Sequence, residues 1–109
     1  MNVHLKPIVF LGTSLEDLRA IAGPAVQQIG YQLHRLQLGH QPLDWKPMKT
    51  IGPGVNEIRV ACYEGAFRVF YVVNRPEAIY VLHAFRKTTQ KTEKRDVDLA
   101  ISRFKDIGK

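Results

Sequence analysis

The spacing of apolar residues divides the first half of the chain into one strand and two helices. Residues 7–11 form a short apolar run, which is typical of a buried strand. Apolar residues then recur at helical spacing over residues 14–38, and a Gly-Pro step divides them, so we predict a helical hairpin or a kinked pair there. Thr13 and Glu16 have the spacing of a capping box at the start of this pair, and Gly39 would end it.

The second half alternates apolar and polar residues in three segments and then returns to helical spacing. The alternating segments predict strands at Glu57–Cys62, Phe67–Val73 and Ala78–Phe85. Residues 40–56 have three prolines, two glycines and no sustained period, so we predict a loop there. Apolar residues from Val97 to Ile107 form one stripe of a final helix, for which Thr92 is the predicted cap.

This order of elements predicts an α+β fold. A strand, two helices, a three-stranded antiparallel meander and a C-terminal helix can enclose one core, with the helices packed on one face of the sheet. The chain has 109 residues, which suffices for one core and not for two, so we predict a single domain over residues 1–109.

The two hairpins of the meander would gather basic side chains on one face of the sheet. If both hairpins close tightly, Arg68 lies between Ala61 and His83. Arg59 falls on the same face, and three cationic groups placed together favour a bound phosphate. The other face, which would carry Leu82, is predicted to contact the helices.

These residues also have simpler interpretations. The two arginines could pair with Glu57 and Glu64 at the surface, where ion pairs contribute little to stability. His83 could act as an acid or base near neutral pH, or it could donate to a neighbouring backbone carbonyl. Trp45 in the predicted loop could cover the core or stack on a nucleic-acid base. The pattern alone leaves these alternatives open.

The amino-acid composition indicates what kind of partner the protein binds and which cofactors it lacks. The formal net charge is +6 and the pI is about 9.7, so an acidic partner is favoured. The single cysteine, Cys62, excludes an internal disulfide and a cysteine-based zinc cluster, and fits a reducing compartment, so we predict a cytoplasmic protein. No apolar run suits a bilayer, and no metal-ligand spacing or Gly-rich phosphate loop is present, so we predict no membrane, metal or small-molecule cofactor.

The residues of the second half resemble a known family. The segments EIRV (57–60), FRVFY (67–71) and LHAFRKTTQKT (82–92) are similar to those of the phage-derived RelE/HigB-like toxins. The likeness extends over most of the chain. It implies a compact sheet with packed helices and the toxin of a two-gene toxin–antitoxin pair. Such a toxin cuts messenger RNA, usually on the translating ribosome, and its usual antitoxin carries a helix-turn-helix domain.

The resemblance also implies roles for individual residues. By position, Arg68 matches the arginine that holds the scissile phosphate, while the RNA 2′-hydroxyl acts as the nucleophile. From both lines of reasoning, the predicted catalytic residues are Arg68, His83, Lys87 and Arg59. The predicted RNA-binding residues are Lys46, Lys49, Arg86 and Lys91. Glu93 stands where the family has a proline, and no tyrosine follows Lys87 where some relatives carry a catalytic one, so no general base is assigned.

Two other activities remain open from the sequence. The chain could be a noncatalytic module that binds nucleic acid or the antitoxin on the same fold. It could also be a relative that inhibits gyrase. The basic residues gathered on one rim favour RNA cleavage, so the predicted partners are messenger RNA on the ribosome and a helix-turn-helix antitoxin.

Overall fold

Five strands and three helices make up the computed structural model, which describes residues 4–21, 23–89 and 93–108. In chain order they are β1 (Ile8–Phe10), α1 (Ser14–Arg19), α2 (Gly23–Gln37), β2 (Trp45–Pro47), β3 (Val55–Cys62), β4 (Gly65–Val72), β5 (Ile79–Lys87) and α3 (Lys94–Lys105). The predicted pair of helices over residues 14–38 is confirmed, and Gly39 follows it with a φ of 87°. The cap predicted at Thr92 lies outside the described residues, and Glu93 occupies the N-cap position of α3.

The predicted capping box at α1 is wrong. The Thr13 side chain makes no capping bond. Its hydroxyl instead donates to Asp17 Oδ2 at 3.0 Å and accepts a bond from Arg103 Nη2 at 2.9 Å. Arg103 is buried, and its Nη1 donates to Leu82 O at 2.8 Å. A charged donor makes a stronger hydrogen bond than a backbone amide does, so Thr13 joins the start of α1 to α3 and β5.

The strands form one sheet in the order β1-β5-β4-β3-β2, in which β1 is parallel to β5 and the other neighbours are antiparallel. The loop predicted over residues 40–56 is therefore wrong in part, because β2 pairs with β3 and places Trp45 opposite Ile58. A strand of three residues that includes a proline is too short for its period to be recognised. Trp45 is 36% exposed at this edge of the sheet.

The helices divide between the two faces of the sheet. The α+β class is confirmed, but the prediction that all helices pack on one face is wrong. One core joins α1 and α2 to the strands, and its members include Leu18, Ala25, Ile29, Leu33, Leu36, Ile58, Val60, Phe67, Val69, Tyr71, Ile79 and Val81. The second core joins α3 to the opposite face, and its members include Val55, Phe70, Val72, Leu82, Val97, Ala100, Ile101 and Phe104. The predicted apolar stripe of the last helix is thus its buried side.

The register of the first hairpin differs from the prediction by two residues. A two-residue turn precedes Gly65, which begins β4 with a φ of 140°. Arg68 therefore lies opposite Arg59 and not opposite Ala61. Because a shift of two residues keeps each side chain on its face, the face predicted for the arginines is retained.

The second hairpin contains a β-bulge. Phe70 lies opposite His83, whereas Tyr71 lies opposite Val81, so Leu82 is an extra residue in β5. Val81 and Leu82 therefore lie on the faces opposite to those predicted for them. Val81 joins the core of α1 and α2, while Leu82 joins the core of α3. The Leu82 carbonyl at the bulge is the one that accepts the bond from α3 described above.

Candidate nucleic-acid-binding site

Basic side chains gather at one end of the sheet face that carries α3. Cross-strand pairing orders this face into three rows. From β2 towards β5 the rows are Lys46, Glu57, Phe70 and His83; then Arg59, Arg68 and Phe85; then Ala61, Ala66 and Lys87. Phe70 and Phe85 belong to the core under α3. Arg59, Arg68 and Lys87 therefore share one face, beside the area that the helix covers.

Arg68 lies buried near the middle of these rows, and its ionic partner is Glu57. Arg68 is 7% exposed and Glu57 is 0% exposed, and Arg68 Nε lies 3.7 Å from Glu57 Oε1. Arg68 Nη1 donates to Phe67 O at 2.9 Å. Lys46 Nζ approaches the same carboxylate oxygen from β2 at 3.9 Å. The interpretation that an arginine pairs with Glu57 is confirmed, but its location at the surface is wrong. A buried pair is far more costly to break than a surface pair.

An open cleft lies beside the pair of Arg68 and Glu57. It is lined by Ala66, Arg68, Lys87, Thr88 and Thr89. Burial of Lys87, followed by the charge of the Arg68 guanidinium, lowers the pKa of the Lys87 amine below its ordinary value, while the Glu57 carboxylate opposes this shift. Two cationic side chains and two hydroxyl-bearing side chains around one cleft suit an anionic ligand such as phosphate.

His83 does not face this cleft. Its Nε2 lies 2.7 Å from Asp96 Oδ1 of α3, its ring stacks on Phe85 with centroids 4.8 Å apart, and its Nδ1 is buried. The predicted neighbourhood of Arg68 and His83 is wrong, because Phe85 is the residue opposite Arg68. The geometry does not support an acid–base role for His83 on a bound ligand. It makes His83 a link between β5 and α3.

Three of the other predicted basic residues are exposed on β2, β3 or the turn after β2, and none of them lines the cleft. Arg59 is exposed on the strand next to Arg68, and Lys46 is exposed on β2. Lys49 is exposed in the turn that follows β2. Exposed cations of this kind can meet a polyanion that extends past the cleft, and such binding would weaken as salt rises.

Arg86 and Lys87 point to opposite faces, although both were assigned to the site. Arg86 lies opposite Phe67, whose side chain belongs to the core of α1 and α2, and Lys87 lies opposite Ala66. Arg86 lines a different cleft, beside the end of α1 and the turn between β3 and β4. Lys91 lies outside the described residues.

Two carboxylates organise this face. The sequence offered Glu57 as a partner of the arginines, but its pattern did not indicate that the pair is buried. The contact of Asp96 with His83 had no signal, because it depends on where α3 docks. Glu93, which replaces the family proline, accepts bonds from Thr88 Oγ1 at 3.3 Å and from Arg95 Nε at 2.9 Å.

Neither a metal cluster nor a membrane-spanning helix occurs in the described ranges. Among these residues, no group of three or more His, Cys, Asp or Glu side chains could hold a metal ion. No helix in the same part of the chain is long and apolar enough to cross a bilayer.

The fold and the cleft define a small α+β protein with a cleft on its sheet that two cationic side chains line. The profile of the family described as Phage derived protein Gp49-like (DUF891) matches residues 16–105, and the chain belongs to that family. The structure is similar to that of the free E. coli toxin RelE with two arginines replaced by alanine, at a TM-score of 0.64 and 13% identity, over 94% of this chain and 98% of that chain. No curated protein sequence matches at a significant level. The family and the fold together confirm the resemblance to phage-derived RelE-like toxins.

Proposed function

We propose that this chain is the toxin of a type II toxin–antitoxin pair, and that it cleaves RNA in the cleft beside Arg68 without a metal ion. The observation that carries the proposal is the convergence of Arg68 and Lys87 on one cleft in a member of this family. A guanidinium and an ammonium at one place can hold a phosphodiester and neutralise the charge that develops on it.

In this proposal the RNA supplies its own nucleophile. The 2′-hydroxyl attacks the adjacent phosphate, the 5′-oxygen of the next nucleotide leaves, and the upstream fragment keeps a 2′,3′-cyclic phosphate. Negative charge grows on the phosphate oxygens, and a donor that is oriented beforehand stabilises it. Arg68 is oriented through Phe67 and Glu57, so we assign it to the phosphate.

Lys87 is assigned to the leaving oxygen. The lowered pKa of its amine makes Lys87 a readier proton donor than an ordinary lysine at neutral pH. Arg59, Lys46 and Lys49 are exposed and do not line the cleft, so we assign them to phosphates further along the RNA.

One observation favours a second function, which is binding without cleavage. None of the described residues that line the cleft carries a carboxylate or an imidazole that could remove the proton of a 2′-hydroxyl. Glu57 is fully buried, and His83 is directed to Asp96. A chain that only binds RNA or the antitoxin would need the cations and not a base, so the experiment must separate binding from chemistry.

The partners in this proposal follow from the charge of the molecule. The net charge of +6 and the exposed basic residues suit messenger RNA on the ribosome. The protein to which a RelE-like toxin binds is an antitoxin, and we propose one with a helix-turn-helix domain encoded beside this chain. Both partners would be met in the cytoplasm.

Expression of this chain alone is expected to stop bacterial growth, and co-expression of the neighbouring gene is expected to restore it. Growth curves measure the first effect, and primer extension on cellular messages measures cleavage in the same cultures. Arrest with cut messages is the expected result. Arrest with intact messages would indicate binding alone or inhibition of gyrase, and normal growth with soluble folded protein would exclude a toxin.

A further inference from the structure

Glu57 is a fully buried carboxylate on a face that otherwise gathers cations. Both carboxylate oxygens are inaccessible and have no hydrogen-bond partner among the described residues. The charged groups beside them are Arg68 Nε at 3.7 Å and Lys46 Nζ at 3.9 Å. Burial of a carboxylate is costly unless cations compensate it. An apolar residue such as Phe70, which lies beside Glu57 in the same row, would fill this position at no such cost.

The burial of Glu57 excludes a direct contact with RNA in this arrangement. No part of the residue is exposed, and it does not line the cleft. It cannot take a proton from a substrate hydroxyl without a rearrangement of the sheet face. Any effect of Glu57 on a bound ligand must therefore pass through its cationic neighbours.

Those neighbours need a negative charge to remain close together. Arg59 and Arg68 are directly opposed on adjacent strands, and Lys46 and Lys87 lie in the rows on either side. The charges of Arg68, Lys46 and Arg59, in addition to burial, lower the pKa of the Lys87 amine, and the Glu57 charge raises it. Without Glu57 these cations would repel one another and turn towards solvent.

We propose that Glu57 is a positioning residue, whose buried carboxylate fixes the Arg68 guanidinium at the cleft and holds Arg68 and Lys87 together around one phosphate. This inference rests on the proposed function and deepens it. It assigns the phosphodiester to Arg68 Nη2, because Arg68 Nε and Nη1 are directed to Glu57 and to the Phe67 carbonyl.

Glu57→Gln tests this role because it keeps the size of the side chain and removes its charge. In the free protein, we expect the Lys87 amine to titrate at a lower pH in the variant, as measured by NMR with isotopically labelled lysine. We also expect kcat for RNA cleavage to fall about tenfold or more, which is the size of coupling between contacting residues. Affinity for RNA should not fall, since the variant is more positive, and the alkaline limb of the pH–rate profile should move to lower pH.

Two further variants separate positioning from a loss of folding or of overall charge. Glu16→Gln makes the same change of charge on the exposed side of α1, across the sheet, and should leave the Lys87 titration and the cleavage rate unchanged. Glu57→Asp keeps the charge but withdraws it, so its Lys87 titration and rate should fall between those of wild type and Glu57→Gln. The Asp variant decides the question if Glu57→Gln does not fold.

The outcomes distinguish this inference from the proposed function. An unmoved Lys87 titration overturns the inference, and so does a cleavage rate in Glu57→Gln equal to that of wild type. If wild type binds RNA but never cleaves it, the proposed catalysis fails. A shifted Lys87 titration would then still support Glu57 as the residue that holds the cations of the cleft.

Discussion

Arg68→Lys is expected to slow RNA cleavage about 100- to 1,000-fold, which is the effect of removing one donor to a developing oxyanion. Lysine keeps a positive charge near Glu57, so the domain should remain folded and bound to RNA. A single ammonium cannot reproduce the planar guanidinium that is now oriented by Glu57 and Phe67. Primer extension on a ribosome-bound message, with the chain in excess, measures the rate of a single turnover.

Arg68→Ala is less informative, because it leaves the buried Glu57 without its nearest partner. Breaking a buried ion pair costs about 3–5 kcal/mol, so a loss of activity would combine unfolding with chemistry. Arg19→Lys, on the exposed end of α1, is the matched control and should cleave as wild type does. If Arg68→Lys also cleaves at the wild-type rate, Arg68 does not act on the phosphate.

Lys87→Met is expected to slow cleavage about 100-fold or more, whereas Arg86→Met should change the rate little. The two residues are adjacent in sequence and basic, but only Lys87 lines the cleft beside Arg68. Methionine preserves the unbranched stem and removes the charge, so packing is least disturbed. Rates of cleavage and affinities for RNA, measured for both variants in parallel, separate chemistry from attraction.

The pair of variants at residues 86 and 87 also tests the fold. An equal loss in both would mean that charge alone determines activity at this end of β5. A larger loss in Arg86→Met would place the RNA on the face of α1 and α2, beside the cleft that Arg86 lines, and would contradict the assigned site.

The long periodic segments were predictable from sequence. The helical spacing over residues 14–38 and the alternation in the three later strands extend over enough residues to define their period. The stripe from Val97 to Ile107 likewise predicted which side of α3 is buried. Alternation also placed Arg59 and Arg68 on one face, since an error of two residues in register does not change faces.

Features that depend on contacts between distant elements were not predictable. The bulge at Leu82 is accompanied by a bond from Arg103, which lies in another element. The position of α3 on the second face depends on its apolar packing there, and it brings Asp96 to His83 and so directs His83 away from the cleft. The strand β2 is recognised only through its pairing with β3.

The bulge has a direct consequence for the site. Ile79 and Val81 of β5 face the core of α1 and α2, and strict alternation would place Lys87 on that same face. The extra residue at Leu82 reverses the alternation, so that Lys87 lies on the face of Arg68. β5 therefore contributes Val81 to the core of α1 and α2 on one face of the sheet, and Lys87 to the cleft on the other face.

We propose above that this chain cleaves RNA in the cleft through the RNA's own 2′-hydroxyl. The most direct measurement adds the purified chain to ribosomes that carry a message with or without a single 2′-deoxynucleotide at the site of cleavage. We expect the unmodified message to be cut to leave a 2′,3′-cyclic phosphate, and the 2′-deoxy message to be bound but to remain intact. Cleavage of the 2′-deoxy message, or a downstream fragment with a 5′-phosphate, would exclude this mechanism, because either requires a nucleophile other than the RNA itself.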